Sequence, residues 1–359
     1  MADTMKDIRL MKGNEALAEA AIRAGCDAYF GYPITPQSEI IEYLMFENPD
    51  ERTGMVVLQA ESEIAAINMV YGAAGCGKRV MTSSSGPGIS LKQEGISYIA
   101  GAELPCLIVN VMRGGPGLGT IQPSQSDYFQ AVKGGGHGDY RMIVLAPATV
   151  QESVDYVRLG FDLAFKYRNP VMILSDGIIG QMMEKVELFE QQPRSTEELE
   201  WAAVGRKPGK PGAIITSLQL KPEEQEQVNH RLQAKYRIIE QHEVRYESYN
   251  CEDAEYLMTG FGSGARIARR AMEMAREKGY KVGLLRPQTL FPFPAEAFNR
   301  LAGQLKGILT IEMNAGQMVE DVRLAVAGKT RVEHFGRFGG MIPSPDEILE
   351  AFEQKVIGG

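Results

Sequence analysis

Four stretches within the first 127 residues of this 359-residue chain carry side chains suited to chemistry. "GYPITPQSE", Gly31 to Glu39, sets a hydroxyl, Thr35, between two prolines just after the strand-like run Ala28-Tyr29-Phe30. Pro33 and Pro36 fix the backbone and remove two N–H donors, so the turn is held stiff. "QAESEIAAINMVYGAAG", Gln59 to Gly75, puts Glu61 and Glu63 at the start of an apolar helix. "SSSGPGIS", Ser83 to Ser90, is a small-residue loop whose backbone a ligand can approach closely. "MRGGPGLGTIQPSQSD", Met112 to Asp127, places Arg113 directly after the apolar run "CLIVNVM". Hydroxyl, carboxylate, glycine-rich cradle and guanidinium converge at one end of one predicted sheet. Each residue also has a plainer use. The glutamates favour a helix N-terminus, Thr35 can brace a turn, the Ser-Gly-Pro-Gly loop can be turn chemistry alone, and Arg113 can form a structural ion pair.

The elements that must position these residues follow from periodicity. Short continuous apolar runs at 27–30, 55–58, 79–82, 107–111, 142–145 and 171–174 read as strands. Helical patterns lie between them at 13–24, 37–46, 62–74, 89–101 and 149–166. This alternation predicts an α/β fold with a parallel sheet covered on both faces, whose ligands sit beyond the C-terminal strand edges. Residues 1–183 form the first predicted domain. Residues 184–252 read as a charged, mostly exposed connector with an amphipathic helix near 222–242, and 253–359 as a second α/β domain.

Composition narrows the function. The chain is 44% hydrophobic and 23% charged, with a formal net charge of −8, which disfavours nucleic acid or an anionic membrane as partner. There is no signal-peptide pattern at the start and no apolar run of about 18 residues or more. A soluble cytoplasmic protein is expected. Cys26, Cys76, Cys106 and Cys251 contain no C-x-x-C pair, and His137, His230, His242 and His334 are scattered. Neither an iron–sulfur cluster nor a metal site is expected from this chain. "GFGSGARIARRAMEMA", Gly260 to Ala275, imitates a dinucleotide fingerprint. Ile267 occupies the usual third glycine position, however, and no acidic strand end follows, so a tight strand–helix turn is the better account.

Six stretches, "YPITPQSE", "ESEIAAINMVYGAA", "VMRGGPGLGT…QSD", "IVLAP", "LRPQTLFPFP" and "EMNAGQM", resemble in order the α-type subunit of the 2-oxoacid:ferredoxin oxidoreductases. Among them the chain is most similar to the 2-oxoisovalerate (branched-chain) enzyme and also similar to the 2-oxoglutarate enzyme. The resemblance implies a thiamine diphosphate pyrimidine-binding domain followed by a transketolase C-terminal-like domain. The implied reaction is CoA-dependent oxidative decarboxylation of a 2-oxoacid, with electrons passing to ferredoxin. It further implies that Glu63 hydrogen-bonds the aminopyrimidine ring; the spacing to Gly72 selects it over Glu61. Thr35 and Arg113 become substrate contacts, and Pro33, Ile34, Ser85 and Gly86 become cofactor contacts. A G-D-G motif followed by asparagine, which would bind diphosphate and Mg2+, is absent: "SDGIIG" has no matching asparagine and "HGDYR" no following glycine. Mg2+ and iron–sulfur clusters are therefore expected on partners. These are a β-type thiamine diphosphate-binding subunit, ferredoxin-like and γ-type subunits, and ferredoxin itself. A non-catalytic assembly role is the alternative. Between Arg113 and Lys133 the loop carries no second cation, whereas Leu118 and Ile121 offer an apolar lining. That favours a branched-chain side chain over a second carboxylate, which is costly to bury unpaired.

Overall fold

Apolar runs of three to seven residues build the central strands, and amphipathic stretches between them build the covering helices. The computed structural model describes residues 6–195, 199–205 and 212–358. In the first part lie β1 (Asp7–Lys12), α1 (Gly13–Arg23), β2 (Ala28–Gly31), α2 (Ser38–Glu47), α3 (Pro49–Thr53), β3 (Val56–Gln59) and α4 (Glu63–Gly75). Next come β4 (Val80–Ser84), α5 (Pro87–Gly101), β5 (Cys106–Met112), β6 (Ile143–Leu145), α6 (Val150–Tyr167), β7 (Pro170–Asp176), α7 (Gly177–Gln181) and β8 (Met183–Leu188). The connector holds α8 (Pro222–His242). The remainder comprises β9 (Tyr246–Tyr249), β10 (Tyr256–Thr259), α9 (Gly262–Glu277), β11 (Val282–Pro287), β12 (Thr289–Phe291), α10 (Ala295–Ala302), β13 (Gly307–Glu312), α11 (Met318–Val326), β14 (Val332–Gly336) and α12 (Pro345–Phe352).

Among the described residues these strands form a seven-stranded sheet in the order β12-β6-β7-β5-β4-β2-β3 and a five-stranded one in the order β14-β13-β10-β11-β9. Within each, all neighbours are parallel except the outermost β12 and β9. Strands β4, β5 and β7 are buried along their whole length. Helices α1, α2 and α6 bury Leu17, Ile40 and Val157 on one face of the larger sheet. Helices α4 and α5 bury Ile67, Val70, Ile89 and Ile96 on the other.

Several elements go beyond the periodic pattern. Strands β1 and β8 pair antiparallel in a two-stranded ribbon, so β8 runs on past residue 183. Their exposed sides carry Ile8, Leu10 and Met183, a half-wet ribbon without the continuous apolar run of a central strand. Strand β12 comes from the C-terminal part of the chain yet adds to the edge of the first sheet beside β6. Helix α8 is not a free spacer: its apolar stripe Leu232, Tyr236 and Ile239 packs into the first core. The connector's "EELE" and "GRKPGKPGA" lie partly outside the described residues.

Candidate active site

Along the large sheet the chain leaves β2 for β3 on one side and returns to β4 on the other, so the topology reverses between β2 and β4. Loops leaving the C-terminal ends of such a strand pair open a crevice. The loops here are 32–37 and 85–86, with the start of α4 beside them.

Glu63 opens α4, one residue after Ser62, whose hydroxyl caps the helix by accepting from Ala65 N at 3.2 Å. Glu61 stands outside the helix, before the Ser62 cap, and is exposed, whereas Glu63 is buried to 6% exposure. Glu63 Oε1 lies against α5: a Cβ added at Gly88 would stand 2.6 Å from it and 2.2 Å from Ser84 Oγ. Only a glycine lets helix, carboxylate and hydroxyl approach this closely. The hydroxyls of Ser84 and Ser85 are buried with no hydrogen-bond partner. A buried carboxylate and two unpartnered hydroxyls near the C-terminal end of β4 are groups poised for a polar ligand.

Arg113 directly follows β5 and is held by a backbone bridge between itself and Pro123. Its Nη1 donates to the Thr35 carbonyl at 3.0 Å and Nη2 to the Leu118 carbonyl at 3.0 Å, while Nε is buried and unpaired. Gly86, at φ 48°, leaves room for the arginine stem, since a Cβ there would lie 3.3 Å from Arg113 Cγ. The structure thus brings Thr35, Gly86 and Arg113 together, through the Thr35 backbone carbonyl; the Thr35 side chain is exposed. Pro33 and Ile34 border the same loop, half-buried. Beneath it, Tyr29 OH and Ser83 Oγ lie 2.6 Å apart, Ser83 Oγ donates to Gln37 Oε1 at 2.5 Å, and Gln37 Nε2 donates to the Tyr32 carbonyl at 3.1 Å. This buried chain ties the Pro-Ile-Thr-Pro turn to β4. Behind Arg113, Asn110 Nδ2 donates to Asp127 at 3.0 Å, and burial pushes the Asp127 carboxyl above its ordinary range. Leu118 is 82% exposed and Ile121 56% exposed at the tip of the loop, so within this chain they form a lip and line no enclosed pocket.

Sequence reasoning passed over Lys92. It is fully buried on α5, with Nζ donating to Thr82 Oγ1 at 2.5 Å and to the Ser83 carbonyl at 3.3 Å. Burial pushes its pKa down to about 7, against the opposing pull of the Glu63 charge. The signal was present: Ile89, Lys92, Ile96 and Ile99 make one apolar helical stripe with a lysine inside it.

The second sheet reverses between β10 and β13, and its crevice is filled by the chain itself. Gln125 Nε2 donates to the Phe261 carbonyl at 2.7 Å, and its Oε1 accepts from Met313 N at 3.1 Å. Asp176 Oδ2 accepts from Ser263 N at 3.1 Å and Ser263 Oγ at 2.7 Å, while Oδ1 caps α7 through Ile178 N and Ile179 N. A Cβ at Gly262 or Gly264 would stand 2.9 Å from these partners. The glycines of "GFGSG" therefore admit the first domain's side chains. "EMNAGQM" serves the same junction. Asn314 Nδ2 donates to the Gln125 carbonyl and Gln317 Nε2 to the Ser126 carbonyl, each at 2.8 Å. Glu312, raised in pKa by burial, receives Met318 N and Val319 N at the start of α11. Arg286, first of "RPQTLFPFP", is buried between Glu152 and Glu247. These motifs set the segment after Arg113 against the second domain.

The sequence matches two family descriptions: "Pyruvate flavodoxin/ferredoxin oxidoreductase, thiamine diP-bdg" over residues 19–253, and "Pyruvate:ferredoxin oxidoreductase core domain II" over 254–348. It is 51% identical to the ketoisovalerate oxidoreductase subunit VorB of Methanothermobacter thermautotrophicus, covering 96% of this chain and 97% of that one. It is 38% identical to the 2-oxoglutarate synthase subunit KorA of Archaeoglobus fulgidus, over 97% and 99% of the two chains. A solved 2-oxoglutarate:ferredoxin oxidoreductase from Magnetococcus marinus, with 2-oxoglutarate, coenzyme A and succinyl-CoA bound, superposes with a TM-score of 0.86 at 30% identity. That match covers 98% of this chain and 66% of the solved one. A split-gene transketolase shares the fold alone, at a TM-score of 0.60 and 13% identity.

Proposed function

Because this chain belongs to the 2-oxoacid:ferredoxin oxidoreductases as an α-type subunit, we propose that it supplies the pyrimidine half of a thiamine diphosphate site acting on branched-chain 2-oxoacids such as 2-oxoisovalerate. Its fold is a thiamine diphosphate-binding α/β domain followed by a second, transketolase-like α/β domain. The observation that carries the reading is the buried Glu63 carboxylate beside two unpartnered serine hydroxyls at the β2/β4 switch point. These groups fit a ring that needs one acid bonded to a ring nitrogen and close approach elsewhere.

When bound, thiamine diphosphate supplies a carbon nucleophile whose proton its own amino group removes. The chain's residues do the rest. Glu63 holds a proton at the ring nitrogen and so favours the basic tautomer of that amino group. Ser85, Gly86, Pro33 and Ile34 would border the ring. Arg113 and Thr35 receive the 2-oxoacid carboxylate, with the unpaired Arg113 Nε as the free donor of the fork. The buried Tyr29–Ser83–Gln37 chain keeps the turn in place, since loosely held groups lose most of their positioning value.

The partner is a β-type subunit that carries diphosphate, Mg2+ and the other half of the site, with iron–sulfur clusters, a γ-type subunit and ferredoxin beyond it and CoA as co-substrate. The flank beside Glu63 suits such a neighbour. Strand β3 is a sheet edge with exposed Val56 and Leu58, and α4 and α5 add exposed Ile64, Met69 and Leu91. Bare edges and apolar patches of this kind mark interaction surfaces. The preference for branched-chain substrates rests on the greater identity to the ketoisovalerate relative than to the 2-oxoglutarate one.

The test is a reconstituted complex with and without Glu63→Gln. Loss of 2-oxoacid-dependent electron transfer with assembly intact supports the reading, and full retention refutes it. A higher kcat/KM for 2-oxoglutarate than for 2-oxoisovalerate rejects the substrate class.

A further inference from the structure

Among the described residues, Lys92 is the one buried charged group near Glu63 that the proposed chemistry leaves without a task. A methionine would fill its place on the Ile89–Ile96–Ile99 stripe without the desolvation that an ammonium suffers there. Its surroundings are specific. Thr82 Oγ1 donates its hydrogen to the Phe30 carbonyl at 2.6 Å, so its oxygen can only accept from Lys92 Nζ. The Ser83 carbonyl takes a second donor. Gly88 lies one helical turn before Lys92 on the same face of α5, and Glu63 Oε1 sits against Gly88. Glu63 is the opposite charge acting on Lys92. The other titratable group of the cluster, Tyr29, reaches it only through Ser83.

We propose that Lys92 is a positioning residue for Glu63, its buried ammonium, one turn of α5 beyond Gly88, holding in place the Glu63 carboxylate that meets the aminopyrimidine ring. The inference rests on the role given to Glu63 above. A protonated Lys92 favours a neighbouring carboxylate in its charged form, and a neutral Lys92 releases that restraint. A proton taken by Lys92 is thus felt at the cofactor.

The experiment uses the whole complex carrying Lys92→Met or Lys92→Gln, the latter keeping a donor for Thr82 but no charge. Two readouts are taken from pH 5 to 9: thiamine diphosphate affinity, by quenching of intrinsic fluorescence, and turnover. Both variants are expected to assemble, and to move the acid limb of both profiles by about one pH unit, a tenfold change in proton affinity. A purely structural lysine would change amplitudes and leave the limb in place. That result in either folded variant overturns the proposal. Should the limb stay fixed while Glu63→Gln is inactive, the coupling alone fails. Should Glu63→Gln be active, the underlying site assignment fails. If neither variant assembles, the wild-type complex decides through 15N-lysine NMR. A Lys92 amine that does not titrate near neutrality overturns the proposal.

Discussion

Replacing Gly88 by alanine probes the candidate site with a single methyl group. The new Cβ would stand 2.6 Å from Glu63 Oε1 and 2.2 Å from Ser84 Oγ, whereas ordinary contact begins at 3.4 Å. The serine hydroxyl can rotate away about χ1. The carboxylate must retreat from α5 by the difference, 3.4 − 2.6 = 0.8 Å. Misplacement of a catalytic group by about 1 Å costs about 100-fold in rate, or about 2.7 kcal/mol of transition-state stabilisation. Stability moves the other way or hardly at all. Gly88 sits in the first turn of α5 at ordinary helical dihedrals, where alanine is favoured by about 0.5–1 kcal/mol. Expected, then, is a variant with a wild-type urea midpoint, normal assembly and turnover reduced about 100-fold. The assay is 2-oxoacid-dependent reduction of ferredoxin or a viologen dye by the reconstituted complex. Turnover within about twofold of wild type, with the fold intact, would refute the claim that the Glu63 position governs the chemistry.

Asp176→Ala strips an acceptor from Ile178 N, Ile179 N and the Ser263 amide and hydroxyl. It is expected to cost about 2–4 kcal/mol in urea unfolding and to loosen the domain junction; a loss below about 1 kcal/mol would show the junction is carried elsewhere. His334 has its pKa pushed down to about 4 by burial, with Lys355 and Arg323 adding to the effect. The unfolded chain therefore takes up that proton near pH 6.5 and the folded one only near 4, so its contribution is complete above pH 6.5 and lost as pH falls towards 4. The stability difference between wild type and His334→Gln is expected to shrink across that window; a difference that does not change with pH would contradict the burial argument. Ile64→Glu lies on the exposed apolar flank. The isolated chain should keep its Tm while light scattering shows loss of the complex, and unchanged assembly would move the partner surface elsewhere.

The central strands were legible because β4, β5 and β7 are buried on both faces and must read as continuous apolar runs. The ribbon of β1 and β8 was not, since it alternates exposed apolar residues with charged ones and buries little. Strand β12 is three residues long and is placed by the sheet it joins, information that no local window holds. In the site, exposed Glu61 precedes the Ser62 cap and buried Glu63 opens α4, a difference set by where the helix starts. Arg113 could be placed at a strand end, but the backbone carbonyls that hold it come from loops 78 and 5 residues away along the chain. Lys92 broke an apolar stripe in plain view, yet its meaning depends on a carboxylate from another helix. Pairings such as Gln125 with Phe261 and Met313 bridge more than a hundred residues, so the roles of "GFGSG" and "EMNAGQM" needed the structure.

Both sheets offer a switch-point crevice, and the chain treats the two in opposite ways. In the second domain Gln125 fills the crevice, and Asp176 locks its rim by accepting the Ser263 amide and hydroxyl. A ligand entering there would have to displace several buried hydrogen bonds at once, each costly to leave unmade. In the first domain the equivalent crevice keeps unpartnered hydroxyls, an arginine Nε without an acceptor and a carboxylate that a glycine lets approach closely. Leaving those groups unsatisfied is unfavourable for the isolated chain, while the flank beside them exposes Val56, Ile64 and Leu91. Unmet polar groups and uncovered apolar surface on adjoining sides of one edge are answered together by a ligand clasped under a second polypeptide. The filled crevice fixes the first domain against the second, and that fixed frame lets the open one wait in position.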